Sequence, residues 1–329
     1  MKRTMKGLLS VIIAAVLVLS AFSGCAGEKT TTDKNGKFKI IATLFSEYDW
    51  LKNITKDVDG VELTMLMDSS ADLHSFQPTA DDIYKISSCD MFVYTGGESD
   101  KWVADVLKTA PGVKAVNLME TLGEKAKQEE VVEGMESEEE EEGEGEGEEE
   151  PEYDEHIWLS LKNAKHLCQS LCDKLTEFDS AHKSAYAANT KAYIASLDKL
   201  DSDYASAVKG AKFDTLIFAD RFPFRYLTDD YNLKYYAAFV GCSAETEASF
   251  ETVKFLADKL TELKLPALCT IEGSDKKIAK TVIQTAGAEN TQIVTLNSIQ
   301  SVDLSDGAKN NSYLEIMKDN LNALKQALY

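Results

Sequence analysis

Residues 184–208 read SAYAANTKAYIASLDKLDSDYASAV, and the whole architecture turns on them. Tyr186, Tyr193, Leu197, Leu200 and Tyr204 recur at helical spacing with no Gly or Pro among them, so the stretch reads as one long helix. About 25 residues rising 1.5 Å each span roughly 37 Å, enough for a rigid rod bridging two lobes. Upstream, strand and helix patterns alternate. Strands are expected at 38–43, 61–67, 91–94 and 113–118, with helices opening near Ser46, near Thr79 and at 101–108. A helix at 161–178 precedes the rod. Downstream the alternation repeats, with strands at 215–219, 233–239, 267–271 and 292–296 and helices at 247–263, 276–286 and 313–328. Alternation of this kind implies parallel sheets covered by helices. The fold class is therefore α/β: two lobes with parallel β-sheets flanked by helices, joined by one long rigid α-helix. The ligand is expected in the interlobe cleft, beyond the carboxyl ends of the strands.

The length of 329 residues suits two lobes, and 44% hydrophobic residues supply their cores. The net charge is −21 and very uneven: residues 129–155 hold seventeen acids and no Lys or Arg, which leaves about −4 for all the rest. Nucleic acid is a poor partner for such a chain, because phosphate binding needs basic surface. Glycines among the glutamates of the acidic stretch make it read as a disordered loop.

The N-terminus has the layout of a secretory signal. Lys2, Arg3 and Lys6 precede an apolar run from Leu8 to Phe22, too short for a comfortable membrane span, and small residues lead to Cys25. The layout resembles a bacterial lipoprotein signal, in which Cys25 becomes the lipidated first residue. The expected organisation is a signal peptide at 1–24, a flexible tether at 25–36 and a first lobe at 37–178 with the acidic insert at 124–153. A linking helix at 179–210 and a second lobe at 211–329 follow. Cys168 and Cys172 lie four apart on a helical pattern and read as buried small apolar side chains.

Only four histidines are present: His74, His156, His166 and His182. His74 lies in Asp72-Leu73-His74-Ser75-Phe76-Gln77-Pro78-Thr79 and His156 in Asp154-Glu155-His156-Ile157-Trp158-Leu159. Both precede a helix of the first lobe and face the expected cleft. His166 and His182 fall on or beside helical patterns, as surface or packing residues. In the second lobe three strand ends are polar, at Asp220-Arg221, Glu272-Gly273 and Asn297-Ser298. An oxygen donor there, with two imidazoles, suits zinc or manganese.

These residues carry a resemblance. The chain resembles the metal-binding lipoproteins of bacterial ABC importers, of the zinc/manganese solute-binding class. The matching residues run from Asp49-Trp50 through the His74 segment, Phe92-Val93-Tyr94, Gly96-Gly97 and Trp102 to His156-Ile157-Trp158-Leu159 with Asn163-Ala164. They continue through Tyr186, Asn189, Phe224, Tyr226 and Glu245 to Thr270-Ile271-Glu272 and Leu296-Asn297-Ser298. The resemblance implies two α/β lobes on one long helix, a metal held between them, and first-lobe ligands at His74 and His156. It implies a third ligand before a Phe-x-Tyr element, where this chain has Arg221, and a fourth after the last strand, matching Asn297. Glu272 matches a family carboxylate that is usually not a ligand.

Arg221 has no lone pair to offer a metal. Its charge opposes a dication by about 8 kcal/mol at roughly 4 Å and an effective dielectric of about 20. Three arrangements stay open. Arg221 turns away and leaves His74, His156, Asn297 and water around the ion. Asp220, Glu245 or Glu272 moves in as replacement, with Arg221 behind it. Or the pocket grips an anion or a metal chelate through Arg221.

The implied function is capture of a divalent metal, zinc with manganese as the alternative, and delivery to an ABC permease driven by a separate ATPase subunit. The protein is expected to be a monomer outside the cell membrane, held to it through its lipid anchor only. A surface adhesin-type lipoprotein is the further alternative. An enzyme is not expected: no HExxH, GxSxG or P-loop is present.

Overall fold

The computed structural model describes residues 36–67, 73–136, 152–243, 247–302 and 312–329. The expected signal peptide with Cys25, nearly all of the tether, and Glu245 lie outside the described residues. Among the described residues no helix is long and apolar enough to cross a membrane.

The first sheet contains β1 (Phe38–Ala42), β2 (Val61–Met65), β3 (Met91–Tyr94) and β4 (Lys114–Asn117) in the order β2-β1-β3-β4. The second contains β5 (Thr215–Phe222), β6 (Lys234–Val240), β7 (Ala267–Ile271) and β8 (Gln292–Leu296) in the order β6-β5-β7-β8. All neighbouring strands run parallel. The two sheets thus share one winding, in which the chain steps to one side after the first strand and to the other after the second. That reversal opens a crevice at the carboxyl end of the first and third strands of each sheet. The strands form because their apolar runs can be covered on both faces; all five residues of β7 are buried.

Helices α1 (Phe45–Ile54), α2 (Ala80–Ser87), α3 (Lys101–Thr109), α4 (Leu118–Leu122) and α5 (Leu161–Phe178) surround the first sheet. The long helix α6 runs from Lys183 to Gly210, 28 residues or about 42 Å. Its start is tied to the first lobe: Asn189 Nδ2 donates to the Ile54 and Lys56 carbonyls, and the Tyr193 hydroxyl to Asp49. Its far end is tied to the second lobe, where the Tyr204 hydroxyl donates to the Met317 carbonyl at 2.6 Å. Helices α7 (Arg225–Tyr231), α8 (Phe250–Leu263), α9 (Lys277–Ala286) and α10 (Tyr313–Leu328) complete the second lobe. The N–H of Tyr313 reaches back to Asp49, and its ring packs edge-on against Trp50, 5.4 Å between centroids. One apolar cluster runs through both lobes, from Ile40 and Trp50 through Leu197 to Leu324. A shared core and a rod bolted at both ends oppose a wide hinge between the lobes.

The acidic insert departs from the expected disorder at its root. Residues 124–136 and 152–153 are ordered, whereas 137–151 lie outside the described residues. The Lys127 N–H donates to the Tyr226 hydroxyl, and Arg225 and Tyr235 both reach Glu130. Met135 is buried, and the Glu136 N–H donates to the Ala238 carbonyl on β6. This strap makes one backbone bridge onto β6, an edge strand of the second sheet. The physical reason for the difference is side-chain composition: Val132 and Met135 interrupt the acids here and pack against the core. Cys168 and Cys172 are buried on one face of α5, as their spacing suggests.

Candidate metal site

His74 sits on a single 3-10 turn, Leu73–Ser75, between the end of β2 and α2. Thr79 caps α2 in a reciprocal box with Asp82 and fixes that entry. His156 precedes a second such turn, Ile157–Leu159, and is fully buried. The two rings meet edge-on with centroids 5.4 Å apart. His156 Nδ1 lies 2.9 Å from Asp154 Oδ1, which also accepts the His156 backbone N–H at 2.8 Å. The carboxylate only accepts, so His156 donates from Nδ1 and keeps its lone pair on Nε2. His74 Nδ1 lies 2.9 Å from Ser99 Oγ, and the Ser99 N–H donates to Glu155 Oε1 at 2.7 Å. Two consecutive acids therefore stand behind the two imidazoles, Asp154 directly and Glu155 through Ser99. Gly97 makes room for this. Its φ is +85°, and a Cβ there would meet Glu155 Oε1 at 2.5 Å.

Both Nε2 atoms point at one side chain that sequence reasoning did not single out. Gln300 Nε2 lies 2.9 Å from His74 Nε2 and 2.6 Å from His156 Nε2. Gln300 is only 4% exposed. It reaches the imidazoles because the chain turns back sharply after β8. Asn297 Oδ1 accepts the Ile299 N–H at 2.7 Å, and Ile299 adopts φ +63°, a strained value for a β-branched residue. Glu272, just after β7, accepts the Ser298 N–H at 2.6 Å and the Ser298 hydroxyl at 2.5 Å. Trp158 Nε1 donates to the Ser298 carbonyl, pinning the turn to the His156 segment.

The structure thus uses Asn297 and Glu272 to build this turn, and Gln300 is what the turn presents to the imidazoles. Asp220 accepts the N–H groups of Arg221 and Ile271, holding β5 and β7 together. Arg221 Nη1 donates to the Ser243 carbonyl at 3.2 Å, and its charge acts on Glu272. Cys242, beside Ser243, brings its sulfur to the histidines: ligand atoms of His74, His156 and Cys242 all lie within 4.8 Å of one another. Neither Gln300 nor Cys242 carries a sequence signal of its own. The one usable hint is position, since each follows a strand of the second sheet at its carboxyl end.

Beneath the imidazoles runs a line of buried acids. Burial pushes the Glu155 carboxyl up. Burial, with Glu155 nearby, pushes Asp100 up to about 7. Burial, with Asp100 nearby, pushes Glu47 up to about 8, against hydrogen bonds from Thr95, Leu44 and Thr43.

Two parallel sheets of one winding on a single rigid helix, with donors meeting between them, define a solute-binding protein of the metal-uptake type. The family profile described as "Zinc-uptake complex component A periplasmic" matches residues 40–327, and the chain belongs to this ZnuA family. The "High-affinity zinc uptake system protein ZnuA" of Bacillus subtilis is 32% identical over 318 residues, covering 96% of both chains. The "Zinc-binding lipoprotein AdcA" of Streptococcus pneumoniae is 29% identical, and this chain spans 60% of its length. Among solved structures, the metal-dependent lipoprotein YcdH of Bacillus subtilis superposes with TM-score 0.71 at 27% identity, covering 89% of this chain and all of that one. The Zn(II)-bound ZnuA-like domain of Streptococcus pneumoniae AdcA gives TM-score 0.69 at 26% identity, covering 89% and 99%.

Proposed function

We propose that this protein captures a zinc ion between its lobes and delivers it to the permease of an ABC importer, which a separate ATPase subunit drives. The observation that carries the reading is the convergence of two imidazole Nε2 atoms, from separate segments, on one buried point. The Asp154 carboxylate holds His156 in the tautomer that leaves Nε2 for a metal, and Ser99 Oγ lies against Nδ1 of His74. Gln300 holds that point through its amide, at hydrogen-bond distance from both rings.

The carboxamide also has a reason to turn over. The Ser298 hydroxyl has one hydrogen to share between Glu272 Oε1 at 2.5 Å and Gln300 Oε1 at 3.0 Å. Turned over, the amide donates to Ser298 Oγ instead and puts Oε1 between the imidazoles, where a cation is the natural partner. His74, His156 and Gln300 then form three ligands of a tetrahedral zinc site. Asn297 remains the turn-former behind Gln300, and Arg221 stands outside the donors. Two imidazoles suit zinc better than manganese.

The rigid rod and shared core imply that release comes from local loop movement rather than wide closure. The relatives named as a zinc uptake system protein and a zinc-binding lipoprotein support a location outside the cell membrane; a lipid anchor at Cys25 and action as a monomer complete the reading. No catalytic step is required of this arrangement.

The test is a thermal melt after chelation, with zinc or manganese added back. Zinc held at about 1,000 times its Kd adds about 4 kcal/mol of stability and raises the melting temperature. The gain should shrink markedly in His74→Ala. A melt that neither metal moves would count against capture.

A further inference from the structure

The sulfur of Cys242 is placed beside the imidazoles by two separate devices. On one side Gly241 backs onto the His156 ring: a Cβ at 241 would come within 2.9 Å of His156 Cε1 and 3.0 Å of the Phe222 carbonyl. Only a glycine lets the chain leaving β6 pass this close. On the other side the Arg221 guanidinium holds the Ser243 carbonyl at 3.2 Å. Cys242 lies between these two anchors, half-buried, with its ligand atom and those of His74 and His156 within 4.8 Å of one another. The four other described cysteines, Cys89, Cys168, Cys172 and Cys269, are buried in the lobes.

We propose that Cys242 is a ligand of the captured ion, bound as thiolate, so that the donor set is two imidazoles, one sulfur and the Gln300 carboxamide oxygen. This rests on the reading of the cleft as a metal site. The step is ligand exchange without redox change: a metal–sulfur bond forms, a metal-bound water leaves, and the thiol proton passes to solvent. Zinc–sulfur and zinc–nitrogen bonds of about 2.3 and 2.0 Å put tetrahedral ligand atoms roughly 3.3–3.6 Å apart. The cluster needs to contract by up to about 1.5 Å, within the reach of side-chain rotation.

The thiolate also resolves a charge problem. His74, His156 and Gln300 are neutral donors, and Arg221 nearby is cationic, so Cys242 brings the negative charge that a dication calls for. Its softness sets the substrate class. A sulfur donor beside two imidazoles favours zinc, cobalt and cadmium over the hard ions manganese, magnesium and calcium.

The experiment loads Co2+ into the purified, reduced, metal-free protein and records its absorption spectrum. The expected result is a near-ultraviolet thiolate-to-cobalt charge-transfer band together with intense four-coordinate visible bands. Cys242→Ser should keep the visible bands, lose the near-ultraviolet band and bind zinc at least tenfold more weakly in chelator competition. Cobalt bound to the wild type without the charge-transfer band would overturn the sulfur ligand and leave metal capture standing. A wild type that takes up neither cobalt nor zinc would overturn both. Should Cys242→Ser fail to fold, cadmium NMR of the wild type decides the matter alone, because a sulfur-ligated cadmium resonates far downfield of one held by nitrogen and oxygen only.

Discussion

The two sheets are wound alike, β2-β1-β3-β4 and β6-β5-β7-β8, yet they furnish the cleft differently. The first lobe brings two imidazoles, each oriented through Nδ1, above the buried carboxyls of Glu155, Asp100 and Glu47. The second lobe brings Gln300 and Cys242 on the turns after β8 and β6. Hydrogen bonds to Glu272 and Arg221 tighten those turns from behind. One half is set by buried side-chain pairs and the other by turn geometry. The same winding can therefore keep its first half fixed while the second varies its donors, because a donor on a turn changes without disturbing a packed acid.

The largest expected effect lies in the first lobe. His156 is fully buried at the point of convergence, so His156→Ala should abolish zinc-dependent stabilisation, removing the whole gain of about 4 kcal/mol at saturating metal. Differential scanning calorimetry with and without zinc reads this, and a retained gain would place the ion elsewhere. Next comes Asp154→Asn, which keeps the shape but weakens the hold on the imidazole. Loss of such a partner typically costs 10–100-fold in metal affinity, measurable by competition with a chromophoric chelator. An affinity unchanged within twofold would show that the ring is oriented by packing alone.

In the second lobe the expected changes are smaller and go both ways. Gln300→Glu places a carboxylate between the imidazoles and should tighten zinc binding by about tenfold, roughly 1.4 kcal/mol. Weaker binding in that variant would show that Gln300 does not face the ion.

The acids beneath the site act on the stability of the fold rather than on the metal. The folded protein keeps a proton on Glu47 up to about pH 8, whereas an ordinary glutamate has released it near 4.5. Between those values the unfolded chain binds fewer protons than the folded one, so stability falls as pH rises, by up to about 1.4 kcal/mol per pH unit for one group. Melts of the metal-free protein from about pH 5 to pH 8 should show this decline. Glu47→Gln should flatten it, and an unchanged slope would assign the decline to other groups.

Much of the fold was legible in the sequence for a physical reason: strands buried on both faces are continuous apolar runs, and the expected bounds of β7, β8 and α10 match. Helices α4 and α7, of five and seven residues, escaped because so short a stretch shows no period. β5 runs on to Phe222 past the polar Asp220-Arg221 pair, across an irregularity between Phe218 and Arg221 that sequence does not signal. His74 and His156 stood out as the imidazoles ahead of first-lobe helices. Gln300 did not, because its place depends on Ile299 taking a positive φ and on Asn297 folding back to hold it. Cys242 was equally silent, since the close approach of its loop rests on Gly241 lacking a side chain against the His156 ring.

Zinc K-edge X-ray absorption of the zinc-loaded protein tests the central claim most directly. Imidazole scattering from two rings, with zinc–nitrogen distances of about 2.0 Å, is the predicted result, reduced to one ring in His74→Ala. A spectrum with no imidazole contribution, or one that His74→Ala leaves unchanged, would contradict the assignment of the cleft as the place where the metal is held.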